Sequence, residues 1–421
     1  MKTLFTVAIL GCGGRGACYA SHMVKTPEKY KIVALCDPWK TQLDKMHTLY
    51  GLADTEDFLD TDAFFERKRA DVLVIASSDR AHVAQAIKGM RLGYDLLLEK
   101  PISDDREELE LLLSVQKETG RRVLVCHELR YGKGYLALKE ILASGRLGRL
   151  FAIDATERFP YWHWAHSYVR GVAASLSECF PTILAKCSHD LDLLQYYAGS
   201  RCKSVSSVGE RILFNKENAP DGATPYCLDC PHVDSCVFSA KRVYIEHWHA
   251  AGDPEFVWPY NQVSKKIPLT EQGLLTDMRR SPYGRCVYLC PVDVVDHQLV
   301  QATFENGVKA SLKMLFSGEP SARRYVFYGT MGEMIFDERS DSIEVLPFGG
   351  EREVISVSSL VTSGEKFHGG GDASLVRELY ELLTAHAVAP TTLEESVESH
   401  LMGAAAEESR REGGTLKLVH A

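Results

Sequence analysis

The run Gly11-Cys12-Gly13-Gly14-Arg15-Gly16 constrains this chain more than any other feature. It follows an apolar, strand-like segment at residues 4–10 and precedes a stretch compatible with a helix. Strand, glycine turn and helix in that order form the opening unit of a parallel sheet with crossover helices. The glycines of a G-x-G-x-x-G turn meet three physical needs, namely a tight bend, close approach of backbone to a diphosphate, and close packing of helix on strand. The next apolar run ends at Asp37, 21 residues beyond Gly16, where a carboxylate can accept hydrogen bonds from the ribose hydroxyls of an adenosine. That carboxylate also repels a 2′-phosphate, which favours NAD over NADP, although Lys40 and Arg15 are near enough in sequence to soften the preference.

The same alternation of apolar run, turn and amphipathic segment continues to about residue 130. Strands are expected at residues 4–10, 31–36, 71–76, 94–98 and 121–126, with helical spacing over 107–117. The reading is an α/β nucleotide-binding domain over residues 1–130, a doubly wound Rossmann sheet. From about residue 149 the texture changes. Residues 151–158 and 205–214 read as long strands, and 297–316 as a hairpin turning at Glu305-Asn306-Gly307. Shorter strands follow at 325–328, 334–337 and 354–357, then helices at 373–385 and 393–408. A helix starting near Lys186 connects the first two long strands. These elements predict an α+β domain over residues 131–421, built on a large, mainly antiparallel open sheet. Residues 215–296 interrupt it as an irregular, cysteine-rich insertion.

Composition narrows the partners. Lys and Arg number 48 against 57 Asp and Glu, a net charge of −9 that would repel a polyphosphate backbone, so no nucleic-acid partner is expected. No run approaches the roughly 18 apolar residues of a membrane span, and residues 3–10 pass straight into the glycine turn. A cytoplasmic protein away from membranes is expected, with its 12 cysteines as thiols or metal-bound thiolates.

Further motifs occur in order along the chain: Ser77-Ser78-Asp79-Arg80-Ala81-His82 after the third strand, Leu98-Glu99-Lys100-Pro101 closing the fourth, and His127-Glu128-Leu129-Arg130-Tyr131 after the fifth. Lys186-Cys187-Ser188-His189-Asp190-Leu191-Asp192 opens a helix of the second domain, and Tyr328-Gly329-Thr330-Met331-Gly332 lies late in its sheet. With the glycine turn, this set resembles the Gfo/Idh/MocA family of NAD(P)-dependent oxidoreductases, which act mostly on sugars, inositols and related polyols. The resemblance implies that Lys100 lies beside nicotinamide and substrate, and that His189 serves in proton transfer. It places Gly11, Gly13, Gly14, Arg15, Gly16, Asp37, Ser77, Ser78, His82, Glu99 and Lys100 around the cofactor. It also implies a homodimer or homotetramer paired through the face of the second-domain sheet.

The chemistry demands such residues. Removing a hydride from a carbinol carbon requires the hydroxyl proton to leave, so a base must reach that oxygen. Many family members carry an aspartate four residues before the histidine; here the position is Ala185. Lys186, three residues before His189, would share its helix face and contact a substrate hydroxyl or carboxylate, with His189 or Lys100 as base. The segment from Arg158 through Trp162, His163 and Tyr168 to Arg170 gathers aromatic and cationic side chains suited to a sugar ring and its hydroxyls. Arg130, Tyr131 and Asp190 complete the expected substrate surroundings; the competing reading of the aromatic segment is a filled interface. The resulting expectation is hydride transfer between NAD and a secondary alcohol of a sugar, inositol or sugar acid. The alternatives are an NAD-dependent glycoside hydrolase using transient oxidation and elimination, and a non-enzymatic nucleotide-sensing regulator.

Cys227-x2-Cys230-x5-Cys236 has the spacing at which thiolates reach one tetrahedral zinc, and Cys286, ahead of Cys290, is the expected fourth ligand. A structural zinc is expected to order an insertion with little apolar content of its own, an iron–sulfur cluster being the alternative.

Overall fold

The computed structural model describes residues 2–254, 258–266, 268–360, 370–385 and 391–420. Its first sheet consists of β1 (Phe5–Leu10), β2 (Tyr30–Cys36), β3 (Glu56–Phe58), β4 (Val72–Ile75), β5 (Asp95–Leu98) and β6 (Val123–Val125). Their spatial order is β3-β2-β1-β4-β5-β6, every pair parallel. β4, β5 and β6 are buried along their whole lengths, which is why they read as unbroken apolar runs. The strand order reverses between β1 and β4, and ligands of such sheets bind in the crevice at that switch point. Helix α1 (Gly14–Met23) leaves β1 there, and α2 (Lys40–Tyr50) follows β2. The short β3, with no apolar alternation, is the one strand of this sheet absent from the sequence reading.

The second sheet runs β14-β13-β12-β11-β7-β10-β9-β8-β15. Its members are β7 (Leu150–Pro160), β8 (Cys202–Glu210), β9 (His297–Phe304), β10 (Lys309–Gly318), β11 (Ala322–Gly329), β12 (Gly332–Asp337), β13 (Ser342–Pro347), β14 (Glu353–Ser356) and β15 (Lys417–Leu418). All neighbours are antiparallel except β7 and β10. The β9–β10 hairpin turns where expected, with Gly307 at φ 92°. Along β7, Ile153, Ala155, Glu157 and Phe159 are buried on the face covered by helix α3 (Ser188–Ala198).

Three features depart from the sequence reading. The helix expected near Lys186 is broken: Thr182–Ala185 ends before Lys186, and α3 starts only at Ser188. Lys186 lies in the joint, so it does not share a helical face with His189. Helix α4 (Gly371–Ala385) buries Leu375, Val376, Leu379 and Leu382 in the core of the first sheet, beside Val7, Ile9 and Leu35. Only α5 (Leu393–Arg411) packs on α3 and β8 of the second. Finally, the insertion has an apolar core of its own, in which Val243, Tyr244, Trp248, Tyr260, Leu274 and Met278 pack together. Apolar burial contributes roughly 25 cal/mol per Å2, so this cluster can order the segment without a metal.

Candidate active site

The four glycines of the turn divide the work that was expected of them. Gly11 adopts φ 91°, and a Cβ there would lie 2.3 Å from the Ala76 carbonyl oxygen. A Cβ on Gly16 would lie 2.0 Å from the Gly11 oxygen. These two permit the bend and the packing. Gly13 and Gly14 face open space, with nothing within 4 Å of an added Cβ. They begin α1, whose first turn has no side-chain cap and no acidic residue. Unpaired amides and a positive helix end open to the cleft suit a dinucleotide diphosphate. Asp37 is held at the end of β2 by the amides of Cys12 (2.8 Å) and Trp39 (2.9 Å), a rigid carboxylate for ribose hydroxyls.

Other residues expected at the cofactor brace the cradle. Arg15 turns back to donate to Glu99 Oε1 (2.6 Å) and Asp372 Oδ1 (2.8 Å), tying α1 to the end of β5 and the start of α4. Tyr19 donates to the same Glu99 oxygen. Ser77 donates to Gln85, and His82 Nδ1 lies 2.7 Å from the Pro101 oxygen, linking the loops that follow β4 and β5. The hydroxyl of Ser78 caps nothing in the short helix that it precedes.

Lys100 follows Glu99 directly, its amide donating to Glu99 Oε2 (3.0 Å). His189, in the first turn of α3, is buried with Nε2 3.3 Å from Glu128 Oε1. Its Nδ1 is buried without a hydrogen-bond partner. Burial holds the His189 pKa down to about 3; Glu128 opposes this and the Lys100 charge adds to it. The imidazole is therefore neutral, and with Nε2–H directed to the carboxylate, Nδ1 presents a lone pair. Lys186 is half-buried with its ammonium 5.0 Å from the centre of the Phe159 ring. Burial lowers its pKa, Glu157 opposes, and the charge of Lys100 is again felt. The Lys100 charge thus reaches both Lys186 and His189. Glu128 belongs to a sequence motif that assigns it no role; only the packing of residues 128–131 against α3 reveals one.

Several expected substrate contacts serve the scaffold instead. Arg130 grips Asp192 through two bonds (2.6 and 2.7 Å) and Glu395 through a third (2.7 Å). The Tyr131 hydroxyl pairs with Thr391. Asp190 accepts from Arg323 and Tyr325, both at 2.9 Å. Arg170 donates to the carbonyls of Arg285 and Phe238 (2.7 Å each), fastening the aromatic segment to the insertion. Strand alternation places Arg158 on the sheet face opposite Glu157 and Phe159, away from Lys186. Trp162, His163 and Tyr168 remain as a wall. Trp258 of the insertion closes on it, 4.6 Å from His163 and 5.5 Å from Trp162 between ring centres.

Cys227, Cys230, Cys236 and Cys286 do line one small cavity, of about 20 Å3. Yet among the described residues no three His, Cys, Asp or Glu groups are set to hold a metal ion, so neither zinc nor an iron–sulfur cluster is supported. Arg170 donates to Cys227 Sγ (3.5 Å), and burial pushes the Cys236 and Cys286 thiols up, away from thiolate.

The buried imidazoles give the fold a pH dependence. His400 is a fixed neutral tautomer, accepting from the Ile102 amide at Nε2 (2.9 Å) and donating from Nδ1 to the Ser396 oxygen (2.6 Å). Burial lowers His400 and His166 to about 4 and His189 to about 3, against an ordinary 6.5. Below pH 6.5 the unfolded chain binds protons there that the folded chain does not. Stability is then lost as pH falls towards 4, by about 1.4 kcal/mol per pH unit for each histidine in that window. Glu157, raised by burial, acts in the opposite sense as pH rises above the ordinary carboxylate range. Denaturant titrations at about pH 6.5 and 5 are expected to show the loss; equal stability would contradict it.

A glycine cradle at the switch point of a parallel sheet, followed by a mainly antiparallel sheet whose covering helix carries a buried neutral imidazole that feels the Lys100 charge, fits a dinucleotide-dependent oxidoreductase. The chain belongs to the Gfo/Idh/MocA oxidoreductase family: the model of its NAD-binding Rossmann fold matches residues 5–127, and that of its C-terminal alpha/beta domain residues 139–418. The Bacillus subtilis protein YteT, which carries an oxidoreductase name, is 23% identical over 76% of this chain and 74% of its own. Inositol 2-dehydrogenase of Streptomyces avermitilis is 26% identical over 53% of this chain and 60% of its own. Levoglucosan dehydrogenase, solved with NADH and levoglucosan, superposes with a TM-score of 0.72 over 99% of this chain and all of that one at 14% identity. Among the described residues no helix is long and apolar enough to cross a membrane.

Proposed function

We propose that the protein transfers a hydride between NAD and a secondary alcohol of a sugar, inositol or sugar acid. The observation that carries this reading is the unpartnered, buried Nδ1 of His189, backed by Glu128 and under the influence of the Lys100 charge. The names of the inositol and levoglucosan dehydrogenases support a polyol or sugar substrate. Bound NAD would supply the hydride acceptor. The Gly13 and Gly14 amides hold the diphosphate, and Asp37 the ribose hydroxyls, where it disfavours a 2′-phosphate. Lys100 donates to the substrate hydroxyl, and His189 Nδ1 takes its proton. Glu128 then stabilises the imidazolium so formed. Trp162, His163, Tyr168 and Trp258 cover the apolar face of the ring and exclude water. Lys186, held over Phe159, favours a substrate carboxylate or hydroxyl on that side.

Screening polyols, aldoses and sugar acids with NAD, by the absorbance of the reduced nicotinamide, tests the reading. Turnover of one of these classes is expected; failure of all of them with NAD bound overturns it. Glu128→Gln should lower kcat roughly ten-fold or more with little change in the Kd of NAD, and should move the acid limb of the pH–rate profile downward, because Glu128 raises the His189 pKa. Val208 and Leu299, paired across β8 and β9, are both exposed on the sheet face away from α3. We read that face as the contact between copies of the chain, to be checked by sedimentation.

A further inference from the structure

The cofactor cradle has a second wall that belongs to neither sheet. A cleft of about 400 Å3 is bounded by Gly13 and Gly14 on one side, by Lys45 of α2 on another, and by Trp258, Lys265 and Lys266 of the insertion. The insertion thus reaches over the glycines whose backbone is left open. Lys266 is paired with Asp277 (3.2 Å), and Asp44, on the cleft rim, is paired with Lys40. Lys265 donates to the Asn261 carbonyl (2.8 Å), which engages one of its three N–H groups. Lys45 and Lys265, from distant parts of the chain, both line this cleft beside the anion cradle; burial lowers the pKa of each, and the Lys45 charge lowers that of Lys265 further.

We propose that Lys45 and Lys265 clamp the diphosphate of the bound dinucleotide from outside the glycine turn, so that the insertion is a retaining strap that slows release of NAD. This rests on the NAD reading above. An anion between two like charges relieves their repulsion and gains charge-assisted hydrogen bonds from each. The diphosphate is the ligand anion that Gly13 and Gly14 bring to this side of the cleft, whereas Asp37 stands where a 2′-phosphate would have to lie.

The test is NAD binding to the full-length protein, followed by quenching of tryptophan fluorescence, with dissociation measured by chasing with excess unlabelled cofactor analogue. Lys45→Ala and Lys265→Ala are each expected to raise the Kd about ten-fold, mainly through faster release, with weaker dependence on salt. Lys265→Arg should restore most of the affinity, and adenosine, which lacks the diphosphate, should bind all variants alike. Thermal midpoints equal to the parent's separate lost contacts from lost folding. If the parent binds NAD and both alanine variants bind and release it as the parent does, the clamp is overturned and the cofactor reading stands. If the parent binds no NAD, both fall. Tighter binding of NADP than of NAD, abolished by these variants, would move the lysines to the 2′-phosphate and overturn the diphosphate assignment.

Discussion

Lys100→Met is expected to leave a folded protein that binds NAD and turns over roughly 1,000-fold more slowly, within the 100- to 10,000-fold range of positioned acid–base groups. Methionine keeps the unbranched apolar stem and removes only the ammonium. The bond that fixes this segment, from the Lys100 amide to Glu99, belongs to the backbone and survives. The cradle at Gly13 and Gly14 is formed by other elements, so the Kd of NAD should move little. Losing a neighbouring cation should also ease protonation of His189, because the Lys100 charge is among the influences that depress it. The acid limb of the pH–rate profile should accordingly shift upward. Steady-state kinetics with a parallel cofactor titration check both parts, and turnover within ten-fold of the parent would remove Lys100 from the chemistry.

Gly14→Asp is expected to abolish cofactor binding while leaving the fold intact. Nothing lies within 4 Å of a Cβ at Gly14, so the scaffold accommodates the side chain. An acid in the first turn of α1 is favourable to the helix by about 0.3–1 kcal/mol. The same carboxylate occupies the anion cradle and repels a diphosphate, so the Kd should rise by about 100-fold or more. Gly16→Ala is the contrasting case. Its Cβ would stand 2.0 Å from the Gly11 oxygen, so α1 must move and stability should fall by about 1–3 kcal/mol. Calorimetric titration and thermal melts distinguish the two; retained NAD affinity in Gly14→Asp would show that the diphosphate lies elsewhere.

What could be read from the chain, and what could not, follows from the range of the interactions involved. β1, the glycine turn and the β9–β10 hairpin are governed by neighbours in sequence, and they stand where periodicity and turn chemistry put them. Arg130, Arg170 and Asp190 have the residue types of a substrate site, but their partners Asp192, the Phe238 carbonyl and Arg323 arrive only with tertiary packing. Residue type without partner cannot separate a ligand contact from a buried brace. Arg158 is different, because strict alternation along β7 already sets it opposite Glu157 and Phe159, a signal present in the sequence. The break before Ser188 leaves no such signal, because the segment from Lys186 to Asp192 has helical composition throughout. Nor could the insertion's core be anticipated from a stretch marked chiefly by its prolines, glycines and cysteines.

The most direct measurement is a crystal structure of the protein with NAD and a substrate identified by the screen. The nicotinamide C4 edge should lie between the Lys100 ammonium and His189 Nδ1, with the substrate hydroxyl touching both and the diphosphate on the Gly13 and Gly14 amides. A nicotinamide seated away from these two side chains, or a substrate reaching neither, would contradict the account.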